Sequence, residues 1–261
     1  MKICPLCEIN EADNENSHII PKFLGKPLFE KSKPRHSLQI NRNGKILKTQ
    51  DTPKEDHLIC SSCEKRFEVL ETYFARKLIS INDYNNRKEK FKIYEISPNK
   101  VLECLDLNSS IFKLFYYSIL WRISVCTHPM FTNFKLSNFV ETTIRSFLDK
   151  NLFDSHKELL RNIDNIINSP DFEFIAYKPQ AGKREFKGIF TAFQMSDDCY
   201  SIFTSDIIFY FYTKEDNLRN IPKHLLNSGN QNIKFVLADS LQWSKLSDAV
   251  IRHRLFRKND I

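Results

Sequence analysis

LICSSCEKRFEVLETYFARKLIS, residues 58–80, joins a Cys-x-x-Cys pair to an amphipathic helix. After Cys60 the run holds neither Gly nor Pro, and Phe67, Leu70, Phe74 and Leu78 recur at i, i+3, i+7 and i+11, one helix face. Ser61 or Ser62 is placed to cap that helix. A second pair, Cys4 and Cys7, lies far upstream. Two such pairs supply four thiolates, which close a tetrahedral zinc shell and leave no open position for water. The dipole at the start of a helix favours thiolate, so the second pair is well placed as a ligand source. Cys4, Cys7, Cys60 and Cys63 are therefore expected to bind one structural zinc ion that staples residues 1–80 into one module.

Inside that module, SLQINR and KILKTQ alternate apolar and polar side chains around Asn43-Gly44, the pattern of a hairpin. Beyond it, residues 82–108 read as a connection carrying one strand, FKIYEI. Helices are expected over Ser110–Cys126, Ser137–Asn151 and Ser155–Asn168, each opening at or beside a Ser that can cap it. After Pro170 the chain turns to strands, FEFIAY, FKGIFTAF, YSIFT, IIFYFYT and IKFVLA, with a short helix over Leu241–Arg254. Asp197-Asp198 marks a turn, and Thr213–Asn232 a longer loop. The expected class is α+β: a zinc module over residues 1–80, then a larger helices-then-strands domain over 81–261.

Composition agrees with a folded chain: 261 residues, 41% hydrophobic, 22 Phe, but only 5 Gly and 10 Pro. The start, MKICPLC, has no apolar core of a secretory signal. The most apolar window, 111–126, is shorter than the ~20 residues a membrane span needs and carries Lys113 and Arg122, so it reads as a buried helix. A cytoplasmic, reducing location follows, in which paired cysteines favour metal over disulfides. Cys104, Cys126 and Cys199 read as small buried hydrophobes. His128, His156, His224 and His253 are scattered and read as structural or solvated.

The net charge is +7. Nine Lys or Arg against Glu30 and Asp51 between His18 and Lys54 account for all of it, and Arg252–Lys258 adds a second basic cluster. Such a loop beside a zinc module points to nucleic acid, DNA ahead of RNA, with Lys22, Arg42, Lys45 and Lys48 as phosphate contacts.

Eleven residues after Cys7 stands His18, within Ser17-His18-Ile19-Ile20-Pro21, followed downstream by Leu58-Ile59-Cys60-x-x-Cys63-Glu64 and Glu71. Over residues 4 to about 75 the sequence resembles the HNH, or ββα-metal, nuclease superfamily, which is built on a treble-clef zinc module. More narrowly, these residues and Ser118–Arg122 are similar to prokaryotic HNH-like proteins without assigned function, and prokaryotic defence is one setting the likeness suggests. The resemblance implies that His18 is the general base activating a water against a phosphodiester, while a divalent cation steadies the phosphate. Glu64, with Asp56 or His57, is the expected holder of that cation, Mg²⁺ or another, and His57 is a further catalytic candidate. Ser17 stands where many members carry an acidic residue or His, and the later Asn has no clean equivalent. Glu64, Glu68 and Glu71 share a helix face, and their plain reading is acids complementing the helix dipole or facing solvent.

Two functions follow. One is a metal-dependent HNH-like endonuclease whose C-terminal domain selects target or protein partner. The other is a catalytically inactive, zinc-stapled module that docks on nucleic acid or protein. A redox role for Cys-x-x-Cys lacks the βαβ context it needs.

Overall fold

The computed structural model describes residues 2–29, 37–40, 46–131, 134–166, 169–170, 172–180, 190–204, 206–214, 221–227 and 231–256. The N-terminal part runs β1 (Ser17–His18), α1 (Lys22–Phe29), β2 (Ser37–Ile40), β3 (Ile46–Thr49), β4 (Lys54–Glu55) and α2 (Ser61–Asn82). β2 and β3 pair antiparallel, Ile40 opposite Ile46, as the alternating segments require; the Asn43-Gly44 turn lies outside the described residues. α1 is absent from the sequence reading, since KFLGKPLF carries a Gly and a Pro.

The remainder is a seven-stranded sheet between helices. Its strands are β5 (Phe91–Ile96), β6 (Asn99–Asn108), β7 (Glu173–Pro179), β8 (Thr191–Ser196), β9 (Cys199–Phe203), β10 (Ile208–Tyr212) and β11 (Asn232–Ala238). They lie in the order β5-β6-β11-β7-β10-β9-β8, antiparallel except where β11 runs parallel to β7. The fold is mixed α+β, but residues 82–108 contribute two strands rather than one, so strands precede the helices as well as follow them. Asp197 and Asp198 form the turn between β8 and β9, as expected.

Period-2 alternation sends successive residues to opposite faces of the sheet. Along β10, Phe209 and Phe211 join one hydrophobic cluster, and Ile208 and Tyr210 the other. The first face packs on α3 (Ser109–Val125), where Phe112 lies 5.3 Å from Phe174 and Tyr116 lies 4.8 Å from Phe209 between ring centres. The second face is covered by α6 (Ser240–Phe256), with Trp243 5.7 Å from Phe203. Burial on both faces explains strands that read as near-continuous apolar runs.

α3 is buried from Ser109 to Ser124, which accounts for its apolar sequence, and no described helix is long and apolar enough to cross a membrane. α4 (Asn138–Asn151) and α5 (His156–Asn162) are capped by Ser137 and Ser155, whose hydroxyls accept from the amides of Val140 and Glu158. α5 stops earlier than expected, passing into a 3-10 turn at Ile163–Asn165. Cys104, Cys126 and Cys199 are buried.

A boundary at residue 80 falls inside α2, and one core runs across it. Phe74 on α2 stacks on Phe115 of α3 at 3.8 Å, with planes 5° apart. Arg66 on α2 donates to Asp149 and to the Leu152 carbonyl, at 3.1 Å from Nε to the latter. Arg145 of α4 reaches back to the Leu6 carbonyl and the Glu8 carboxylate.

Candidate functional site

Cys4, Cys7, Cys60 and Cys63 converge so that their sulfurs all lie within 4.8 Å of one another. Among the described residues this is the only group of three or more His, Cys, Asp or Glu that does so. Cys7 and Cys60 are 3.9 Å apart at sulfur. A tetrahedron with Zn–S bonds of about 2.3 Å has edges of about 3.8 Å, so the spacing fits a four-sulfur metal shell. Sulfurs this close cannot all ionise without a cation. A hydrogen bond from Cys63 brings Cys4 down to about 4, while that same contact and burial push Cys63 up. The set can hold a metal ion such as zinc.

Local backbone geometry builds the shell. The first knuckle closes through Cys4 N–H to Asn10 O at 2.8 Å and Glu8 N–H to Cys4 O at 2.9 Å, with Glu8 at φ 55°. The Asn10 amide points at Cys60 sulfur, 3.8 Å away, a neighbour of the kind that tunes a metal ligand. The second knuckle opens α2 directly. Cys60 itself is its N-cap, its sulfur accepting from Cys63 N–H at 3.5 Å, and Asp13 accepts from Ser61 N–H at 2.7 Å. The capping role expected of Ser61 or Ser62 is thus taken by Cys60 and a carboxylate from the first knuckle. That hydrogen bond holds the Asp13 carboxyl below its usual range.

Backbone hydrogen bonds beside the four-cysteine cluster place β1. Segments 14–16 and 56–59 zip together, with His57 N–H to Asn14 O at 2.8 Å and Asn14 N–H to Ile59 O at 3.2 Å. β1 then pairs with β4, His18 opposite Lys54. Asp56 accepts from the Asn16 amide at 2.8 Å. His57, at φ 56°, places Nδ1 at 3.0 Å from the Ala12 carbonyl; a carbonyl only accepts, so Nδ1 carries the proton. Both are exposed, and both hold the loop together.

His18 is half-buried, its Nε2 buried and without a hydrogen-bond partner. Burial lowers its pKa from 6.5; Lys54, Arg122 and Lys22 add to that effect and Asp51 opposes it. Lys54 bridges Asp51 at 2.7 Å. Asp51 and Lys54, counted in the basic stretch, come beside His18 only because β4 pairs with β1.

Ser17, next along the strand, is fully buried and accepts from Asn14 Nδ2 at 2.8 Å. The Glu64 carboxylate, in the first turn of α2, is near enough for this hydroxyl to favour its charged form. Glu64 Oε2 is buried without a partner, and burial raises its pKa against the pull of Arg122. Arg122, fully buried on α3, places Nη1 2.8 Å from Glu71 Oε1 and 2.7 Å from the His18 carbonyl. Its guanidinium carbon lies 4.7 Å from the centre of the Phe67 ring. Glu71 therefore pairs inward, while Glu68 faces solvent. Lys22, at the start of α1, and Lys48, on β3, are exposed. Arg42 and Lys45 lie outside the described residues.

The arrangement can do two things chemically: hold a metal through sulfur, and present a neutral imidazole among cations. No family model, curated protein or solved structure matches the chain.

Proposed function

We propose that the chain is a zinc-stapled, HNH-like nucleic-acid-binding protein whose phosphate contacts line the strand that carries His18. The charge around that strand carries the reading: Lys54 and Arg122 are paired with Asp51 and Glu71, and exposed Lys22 adds a cation beside them. A local excess of positive charge attracts phosphate. Exposed Lys22 and Lys48, with Arg42 and Lys45 of the same basic stretch, extend the surface. A treble-clef build suits the two knuckles and the helix that follows them, and a reducing cytoplasm keeps the four thiols available to zinc.

Docking is preferred to cutting for two reasons. A general base must be reachable by the water it activates, and Nε2 of His18 is buried. The Arg122 guanidinium already neutralises Glu71 and acts on Glu64, which weakens the demand for a divalent cation there. Asp56 and His57, the other expected holders of such a cation, are engaged with Asn16 and Ala12.

One observation favours a second reading, metal-dependent phosphodiester hydrolysis. His18 is held below its ordinary pKa, hence proton-free at neutral pH, as a base must be. On that reading Glu64, with its unpartnered oxygen, holds Mg²⁺ or a similar ion. The C-terminal sheet then selects target or protein partner.

Labelled duplex DNA, and single-stranded RNA in parallel, incubated with Mg²⁺ or Mn²⁺ and wild type or His18→Ala protein, tests both readings. Binding without cleavage, weakened in the variant, is expected. Cleavage lost in His18→Ala would establish hydrolysis instead. Absence of binding to either polymer at low salt would end both.

A further inference from the structure

β1 has only two residues, too few to hold its own register, and His18 is one of them. Ile19 N–H donates to the Pro53 carbonyl beside β4, at 3.0 Å. In a trans peptide the carbonyl of residue 18 points opposite to that N–H, away from β4 and toward α3. There Arg122 Nη1 donates to it at 2.7 Å. One peptide unit, His18–Ile19, is thus gripped on both edges, by β4 and by a side chain more than a hundred residues away in sequence.

The guanidinium is itself fixed. Nη1 donates to the His18 carbonyl and forms an ion pair with the Glu71 carboxylate. Nε donates to the Ser118 carbonyl at 3.2 Å, Nη2 to the Ser118 hydroxyl at 3.4 Å, and Phe67 lies against the plane. An apolar residue could fill this volume without the desolvation cost of a buried cation. What an apolar residue cannot do is bridge a strand carbonyl, a helix carboxylate and its own helix backbone at once, which the rigid fork of Arg does.

We propose that Arg122 is the positioning residue for His18, so that the N-terminal recognition site is completed by α3. This deepens the role given to His18 above and rests on it. A nucleic-acid site in the first 80 residues would then be set by the packing of α2 on α3, and any shift of α3 would reach His18 through one hydrogen bond.

The test uses the full chain with labelled histidine and NMR detection of the imidazoles, the His18 signals being assigned with His18→Gln. Wild type is compared with Arg122→Lys, which keeps the charge but loses the fork, with Glu71→Gln, and with the double variant Arg122→Met/Glu71→Gln, which removes both charges of that pair. In Arg122→Lys and in the double variant the His18 signals should shift and broaden while those of His128 and His156 stay. In the double variant the His18 pKa should climb toward about 6.5. Glu71→Gln alone should leave the His18 signals in place. Unchanged His18 signals in Arg122→Lys or in the double variant would overturn the proposal. Unfolding of Arg122→Lys would do so too, by making the residue a prop of the core rather than of His18. Because the readout needs no ligand, it can fail while nucleic-acid binding stands, and the reverse.

Discussion

Replacing Phe74 by Ala removes the ring that joins the four-cysteine part of the chain to the sheet-bearing part. Phe74 is fully buried, stacks on Phe115 at 3.8 Å, and lies 5.7 Å from Phe112 and 5.9 Å from Tyr116 between ring centres. Emptying a packed aromatic site costs about 3–5 kcal/mol, transfer and cavity terms together. With a urea m-value of about 2–3 kcal/mol/M, the unfolding midpoint should fall by about 1–2.5 M. Two probes decide what the loss means. Trp243 on α6, read by fluorescence in a Trp121→Phe background, reports the sheet region, and the thiolate absorption of cobalt-substituted protein reports the four-cysteine site. A core continuous from Phe67 to Phe211 requires both probes to move together. A shift under 1 kcal/mol, or a cobalt transition that stays put while the tryptophan transition moves, would refute a shared core.

Elemental analysis should find about one zinc per chain, and Cys60→Ser should lose it and loosen α2 at its start; metal-free protein with four freely alkylated thiols would sink that assignment. On duplex DNA the log–log salt slope should be roughly 0.9 per neutralised phosphate. Lys22→Glu with Lys48→Glu should flatten it by up to about 1.8 if each lysine neutralises one phosphate, and an unaltered slope would place the contact elsewhere. Stability should rise with pH between the lowered His18 pKa and about 6.5. In that window the unfolded chain binds the extra proton, so His18's contribution is lost as pH falls through the folded value. His18→Gln should remove that part of the slope in urea titrations, and an unchanged slope would mean the imidazole titrates normally.

The four cysteines, α2, α3, α4 and the strands after Pro170 were legible because each carries a period or a spacing that one geometry satisfies. α1 was hidden by Gly25 and Pro27, and it forms where Leu24, a buried residue, can anchor it. β6 was hidden because Glu103 and Asp106 interrupt its apolar residues, yet Val101 faces one layer and Leu102 and Cys104 the other. The cap of α2 escaped notice because its donors meet a carboxylate 48 positions away, at Asp13. The same holds for His18: Lys54, Asp51 and Arg122 become its neighbours only through tertiary packing. Local sequence cannot announce partners chosen by a fold.

β11 sits between β6 and β7, although it is the last of the seven strands in chain order. Until residues 232–238 are made, the growing chain holds two fragments, β5-β6 and β7-β10-β9-β8, each with a bare inner edge. Such edges are templates for wrong pairing, and closing them draws together segments more than a hundred positions apart, which slows folding. β11 is therefore the keystone of biosynthesis. Chains cut just before it should aggregate on the ribosome's timescale, with Phe112 of α3 lacking its Phe235 neighbour until the keystone drops into place.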